Sequence, residues 1–348
     1  MVIKRSGLAI LKEPAVLDDD HQPDTVHHSE ERVSQVEDYL LPAHTKHSPL
    51  HVWIYGTPGT GKTTAARHIL KKMDKESGVR GIYINCWHHD SLYSILDHIT
   101  AELRILRAEE QRTAHKLQKF QKHLKEEPFI IILDEMDRPS PKERETIIYS
   151  LCSMKKVGLI CISNSCDCLF ELDARVRSRL NPALVPFNSY SHDQLSVILT
   201  DRAQDALVEA AIEDGIIHKI AKLADGDARV ALQTLKKAAW LAEKEHASNI
   251  GHPHIARAWS STRQLKNQYM LGKLTPDHRI LNEILKSKGE LLSSELRQLY
   301  LSECSKIKRK PVAERTFSDY INDLKVAGLA EVERARVRGK VRMLRVAG

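Results

Sequence analysis

Long apolar runs are the first thing this sequence lacks. No stretch approaches the ~18 residues that a membrane-spanning helix needs, and the patch Leu8 to Leu11 behind Lys4 and Arg5 is too short for a signal-peptide core. The expectation is a soluble, cytoplasmic chain with no membrane partner. Aromatic residues are few as well, 5% against 42% hydrophobic overall, so the cores must be largely aliphatic. Six cysteines in 348 residues contain no C-x-x-C pair. Cys161, Cys166 and Cys168 cluster near a strand end, where they read as free thiols rather than a zinc site. The eighteen histidines offer no i, i+4 pair beside an acid on a helix, which removes the zinc-hydrolase pattern. No internal repeat or low-complexity tract is present.

What the chain has in excess is positive charge: Lys plus Arg number 53 and Asp plus Glu 46, a net +7. That balance suits an anionic partner, and its distribution matters more than its total. The length allows two or three domains.

The chain is organised around Val52-Trp53-Ile54-Tyr55, a short β-branched and aromatic run, followed by Gly56-Thr57-Pro58-Gly59-Thr60-Gly61-Lys62-Thr63-Thr64. A helix-compatible segment, Ala65 to Met73, comes next. This is the phosphate-loop pattern in its strand–loop–helix context. The glycines let the backbone turn its N–H groups towards a polyphosphate, and the helix adds its positive end. Lys62 would reach the β- and γ-phosphates, and the Thr63 hydroxyl would ligate Mg²⁺.

Around this loop the periodicity predicts a lead-in with Asp18-Asp19-Asp20, a helix from Ser29 to Leu40, and strands at Ile82–Cys86, Phe129–Leu133 and Val157–Ser163. Helices over Asp90–Leu106, Glu109–Glu127 and Lys142–Lys156 alternate with them. Such alternation predicts an α/β fold, a parallel sheet covered on both faces. From about residue 190 the pattern is helical, over Ser191–Gly215, Ile216–Ala247 and His252–Met270. After a joint at Leu271–Leu274, helices at Pro276–Lys286, Ser293–Ser305 and Pro311–Ala327 precede two alternating segments around Gly339. Three helices and a hairpin outline a winged helix. The expected domains are 1–190, 191–270 and 271–348.

An apolar strand ending in Asp134-Glu135 is the partner a phosphate loop requires. Asp134 would hold Mg²⁺, and Glu135 would act as general base on the attacking water. Asn164, at the end of the next strand, is placed to orient that water or reach the γ-phosphate. Arg175, Arg177 and Arg179 lie in one arginine-rich stretch from which a cation is presented to a neighbouring molecule's nucleotide. In Gly226-Asp227-Ala228-Arg229, Asp227 caps a helix and Arg229 is placed to lean back onto the phosphates.

From Lys306 onward there are twelve cations against five acids. Phosphate neutralisation by such a segment gives salt-dependent nucleic-acid binding. Arg315, Thr316 and Ser318, early on the helix from Pro311, are candidates for the major groove. Arg336, Arg338 and Lys340 at the hairpin tip are candidates for the backbone or minor groove.

In this order, Gly56 to Thr63, Asp134-Glu135, Asn164, the stretch Arg175 to Leu180 and Gly226 to Arg229 resemble Walker A, Walker B, sensor 1, the arginine box and sensor 2 of AAA+ ATPases. Ile84-Asn85-Cys86, Leu133-Asp134-Glu135-Met136-Asp137 and Gly226-Asp227-Ala228-Arg229, with a C-terminal winged helix, are similar to the archaeal origin-recognition proteins, relatives of the eukaryotic origin recognition complex and its loading factor. Where that family usually carries His-Arg-Glu near the adenine, this chain reads His27-His28-Ser29-Glu30, and its acidic lead-in is another departure. The resemblance implies a replication initiator with ATP and Mg²⁺, slow hydrolysis as a switch, origin duplex DNA and the replicative helicase as partners, other copies or paralogous initiators beside it, and a nucleoid location. A clamp-loader subunit is the nearest rival, although clamp loaders typically carry Ser-Arg-Cys where this chain has Arg177-Ser178-Arg179. A signalling ATPase whose winged helix binds protein is the other.

Overall fold

The structure, a computed structural model, describes residues 10–23, 26–105, 112–273, 275–307, 309–326, 329–334 and 342–346, with backbone alone at 263–273, 326 and 334. The chain forms two compact units, Met1–Ala258 and Trp259–Gly348.

In the first unit, helix α1 (Glu30–Leu40) leads into β1 (Val52–Tyr55), α2 (Lys62–Ser77) and β2 (Arg80–Asn85). Helices α3 (Leu92–Glu102) and α4 (Thr113–Leu124) precede β3 (Phe129–Asp134), and α5 (Pro141–Cys152) precedes β4 (Val157–Ser163). The short α6 (Asp167–Phe170) and α7 (Ala174–Leu180) connect to β5 (Ala183–Pro186). The strands make one parallel sheet in the order β2-β3-β4-β1-β5.

Every residue of β3 and β4 is buried, because helices cover both faces. Side chains alternate between those faces. Phe129, Ile131 and Leu133 pack with Ile95, Phe120 and Leu151 on one side, while Ile130 and Ile132 join Val36, Ala65 and Ile69 on the other. The buried Trp53 ring satisfies its N–H on the Ser163 hydroxyl at 2.8 Å, tying β1 to β4.

Strand β5 is only four residues long and ends in a proline, and it escapes sequence reading. Only Val185 is buried, and Pro186 is tolerated because this is an edge strand. The helix expected over Asp90–Leu106 stops at Glu102, where Arg104 takes a left-handed φ of 51°. The one expected over Glu109–Glu127 is found as Thr113–Leu124, with residues 109–111 outside the described range.

Three helices complete this unit: α8 (His192–Ala206), opened by a Ser191/Gln194 capping box, α9 (Ile216–Ala224) and α10 (Ala228–Lys244). The helix expected to run on to Gly215 ends at Ala206, since Leu207 turns extended and bridges to Leu11. The one expected over Ile216–Ala247 is cut in two by left-handed Asp225 and Gly226. A 3₁₀ turn at Pro14–Leu17 buries Val16 and Leu17.

Helix α11 (His252–Lys273) leads to the second unit, which holds α12 (Pro276–Lys288), β6 (Glu290–Leu292), α13 (Ser293–Lys306), α14 (Glu314–Val326), β7 (Ala330–Arg334) and β8 (Arg342–Val346). The sheet is antiparallel, β6-β8-β7. Leu281, Leu285, Leu296, Tyr300, Phe317, Leu324 and Leu344 form its core. This is a winged-helix arrangement. Three-residue β6, wedged between two helices, leaves no period to read. Among the described residues, no helix is long and apolar enough to cross a membrane.

Candidate functional site

The strand order explains how distant residues meet. β1 lies beside β4 and β4 beside β3, so the loops after these three strands open at one edge of the sheet, where α/β folds bind ligands. They bring Gly56–Thr63, Asp134-Glu135 and Asn164 together.

Gly59 and Gly61 hold φ of 78° and 81°, values that L side chains rarely adopt. A Cβ at Gly59 would run into the Asp227 carboxylate, and one at Gly61 into the Tyr190 hydroxyl. The loop is therefore packed under the helical subdomain. The Ala228 amide donates to the Gly59 carbonyl at 3.0 Å, and Asp227 caps α10 by accepting from the Val230 amide at 3.1 Å.

Lys62, 8% exposed, donates to the carbonyls of Gly56 at 2.7 Å and Thr57 at 2.9 Å. Burial pushes its ammonium pKa below the ordinary value, partly offset by Asp134 and Glu135, while Arg229 adds to the lowering. Thr57 and Thr60 brace the loop: Thr60 donates to the Thr57 carbonyl at 2.9 Å, and the Thr57 and Ser189 hydroxyls are 3.2 Å apart. Pro58 and Thr64 lie at its crest and at the start of α2.

The Thr63 hydroxyl donates to Asp134 Oδ2 at 2.7 Å, and Tyr83 donates to the same oxygen at 2.8 Å. The Glu135 amide holds the other oxygen at 2.9 Å. The adjacent hydroxyl and carboxylate oxygens of Thr63 and Asp134 suit a hard divalent cation. With Lys62 and the loop, the residues present fit Mg²⁺ bound to a polyphosphate.

Glu135 has a left-handed φ of 57° and is partly buried. Burial raises its pKa, and the charges of Asp134 and Asp137 raise it further. That direction suits a proton acceptor. Asn164 donates to Asp137 at 3.1 Å and to Glu135 at 3.5 Å, which places its amide beside the Glu135 carboxylate.

On α7, Arg175 and Arg179 are exposed, whereas Arg177 is spent on the Phe170 carbonyl at 2.9 Å. Arg229 is exposed at the start of α10, its Nε 3.7 Å from Asp19.

Sequence reasoning missed three residues here. Tyr83 holds Asp134, and strand alternation alone does not mark it. Asp137 receives Asn164. Arg144 is 4% exposed and donates to the carbonyls of Met136, Asp137, Pro139 and Cys168 and to Glu171, so it pins the loop behind Asp134-Glu135. A lone arginine in an amphipathic helix gives no signal of that.

In the second unit Arg315 is exposed early on α14, with Thr316 and Ser318 half-buried beside it. Arg336, Arg338 and Lys340 lie outside the described residues. Arg309, one of the twelve cations, is committed to the buried Asp277 at 2.7 Å.

Comparison with known proteins covers all three parts. Residues 45–165 match the AAA domain family, 196–260 the Cdc6 AAA+ ATPase-type lid domain, and 280–347 the CDC6 C-terminal winged helix domain. An ORC1-type DNA replication protein of Thermococcus onnurineus is 31% identical, covering 92% of this chain and 83% of that protein. That of Pyrococcus abyssi is 30% identical with the same coverage. The Aeropyrum pernix ORC1 protein, solved in complex with DNA, is 25% identical with a TM-score of 0.68 over 99% of this chain and 95% of that one. The Aeropyrum pernix ORC2 protein, solved as ADPNP–ADP complexes, shares the fold at a TM-score of 0.76 and 19% identity, over 97% and 94% of the two chains.

Proposed function

Because the chain belongs to the ORC1-type DNA replication proteins of the AAA+ class, we propose that it is an ATP-switched initiator that binds duplex DNA at replication origins and helps recruit the replicative helicase. Other copies or paralogous initiators would complete the assembly. The proposed division of labour is nucleotide binding by 1–190, sensing by 191–270 and DNA binding by 271–348.

In this reading Lys62 neutralises the β- and γ-phosphates, while Gly56–Thr64 enclose them with backbone N–H groups. Thr63 and Asp134 hold Mg²⁺, which supplies charge neutralisation when bound. Tyr83 keeps the Asp134 carboxylate from rotating. Glu135 takes the proton of the attacking water, which Asn164 orients. Arg229 carries the state of the site into α10. Arg175 and Arg179, exposed on α7, are available to a neighbouring molecule's nucleotide.

The observation that carries the reading is the meeting of Lys62, Thr63, Asp134, Glu135 and Asn164 beneath the Ala228–Gly59 contact, in one chain with a basic winged-helix unit. The test is equilibrium binding of the full chain to the host's origin duplex and to random duplex, across salt and with or without ATP. Preference for origin DNA that Lys62→Ala makes insensitive to ATP is expected. Equal, ATP-independent binding to both duplexes would count against the initiator reading and for an interaction module.

A further inference from the structure

The acidic lead-in has a defined place. Its backbone is fastened on both sides of the acids. Upstream, Lys12 and Glu13 donate to the Ala206 carbonyl, and Val16 and Leu17 are buried. Downstream, Arg202, 8% exposed, donates to the Val16 carbonyl at 3.1 Å and the His21 carbonyl at 3.4 Å, bracketing Asp18, Asp19 and Asp20.

Two of the bracketed carboxylates, Asp18 and Asp19, lie along one face of α10. Asp18 pairs with Lys236. Asp19 Oδ2 accepts from Gln233 at 3.0 Å and lies 3.7 Å from Arg229 Nε. Arg229, Gln233 and Lys236 are spaced one and two turns apart, so a single helix stripe receives the strap. The N-terminal end of that stripe, at Arg229, adjoins the phosphate loop through the Ala228–Gly59 hydrogen bond.

We propose that Asp19 is an internal competitor of the nucleotide's terminal phosphate for Arg229, and so sets how strongly this site prefers ATP to ADP. The inference rests on the reading of Arg229 as the nucleotide sensor. A guanidinium shared between a fixed carboxylate and an incoming phosphate group must loosen the first to grip the second. The strap cannot withdraw to spare the exchange, because Arg202 and the buried Val16 and Leu17 anchor it. The pair is exposed, 56% at Arg229 and 38% at Asp19, so its effect is modest and screened by salt. Lys236 and Gln233 keep the strap in place while Arg229 moves.

The experiment is calorimetric titration of the full chain with ATP and with ADP, for the parent, Asp19→Asn, Arg229→Ala and the double variant, at low and high salt. Asp19→Asn is expected to tighten ATP binding roughly two- to fivefold at low salt, with a smaller change for ADP. The gain should vanish at high salt and in the Arg229→Ala background. Unchanged or weaker ATP binding by Asp19→Asn, or a gain that survives Arg229→Ala, overturns the competitor role and leaves the sensor reading standing. If Arg229→Ala alone binds ATP like the parent, the sensor reading fails, and this inference with it.

Discussion

The Ala228 amide donates to the Gly59 carbonyl at 3.0 Å, so the first residue of α10 is hydrogen-bonded to the crest of the phosphate loop. A carbonyl engaged in this way cannot turn freely. Any ligand that reshapes the loop must therefore load the helix that carries Arg229.

Gly59→Ala tests that coupling. The new Cβ meets the Asp227 carboxylate at a φ of 78°, and left-handed backbone costs an L residue about 1–2 kcal/mol. The expected outcome is a lower melting temperature together with weakened ATP binding. Gly78→Ala is the control, because it shares a left-handed φ of 66° with open space around it. It should lower stability by a similar strain while leaving ATP affinity alone.

Lys62 and Glu135 should separate binding from chemistry. Lys62→Ala removes a cation and its phosphate hydrogen bonds together, so ATP binding is expected to be lost. Glu135→Gln removes only the base, and hydrolysis should fall about 10²–10⁴-fold while ATP affinity holds. Single-turnover hydrolysis beside a binding titration reads both, and parental turnover by Glu135→Gln would reassign the base.

Arg144→Met should destabilise the first unit by about 3 kcal/mol or more, because several buried carbonyls lose their donor at ~1–3 kcal/mol each. Denaturant melts measure that. With the loop behind Asp134-Glu135 unpinned, hydrolysis should drop further than ATP affinity does. Equal losses in both would make Arg144 purely a fold residue.

Acidification should act on the second unit through Asp277. The Arg309 hydrogen bonds hold its carboxyl below the usual carboxylate range, burial opposes this, and Tyr300 adds to the lowering. A depressed folded-state pKa gives stability that is present above the unfolded value and lost as pH falls through the folded one. Melting of residues 259–348 should therefore steepen in its pH dependence below about 4, the ordinary Asp range. Asp277→Ala should erase that slope and leave the buried Tyr300 hydroxyl without an acceptor, at a cost of about 1–3 kcal/mol.

DNA binding separates the two cationic groups. Arg315→Ala should cost roughly 1–3 kcal/mol on the preferred site and much less on random duplex, if its guanidinium reads a base edge. Replacing Arg336, Arg338 and Lys340 with Ala should weaken binding to every duplex and flatten the salt dependence by about one unit of slope per contact. Four silent substitutions, measured by salt-titrated anisotropy, would remove the winged helix as the DNA reader.

The sequence by itself determined what local chemistry can determine. Gly56–Thr64 carried the phosphate-loop pattern, because glycine backbone, lysine and threonine stand at fixed spacing between a strand and a helix. The unbroken runs of β3 and β4 declared a sheet covered on both faces, and three helices with a hairpin declared the winged helix. Boundaries failed where one residue's backbone decided them, as at Leu207 and Asp225, and short β5 and β6 left no period to read. The tertiary structure alone decided which strands are neighbours, since parallel pairing joins segments that no local pattern links. That pairing put Asn164 beside Glu135. The same packing brought Tyr83 to Asp134, folded Arg144 behind the loop after Asp134-Glu135 and laid Asp19 against Arg229. The identity of each of these polar contacts depends on burial and on which backbone groups remain to be satisfied. Neither quantity exists until the chain has folded.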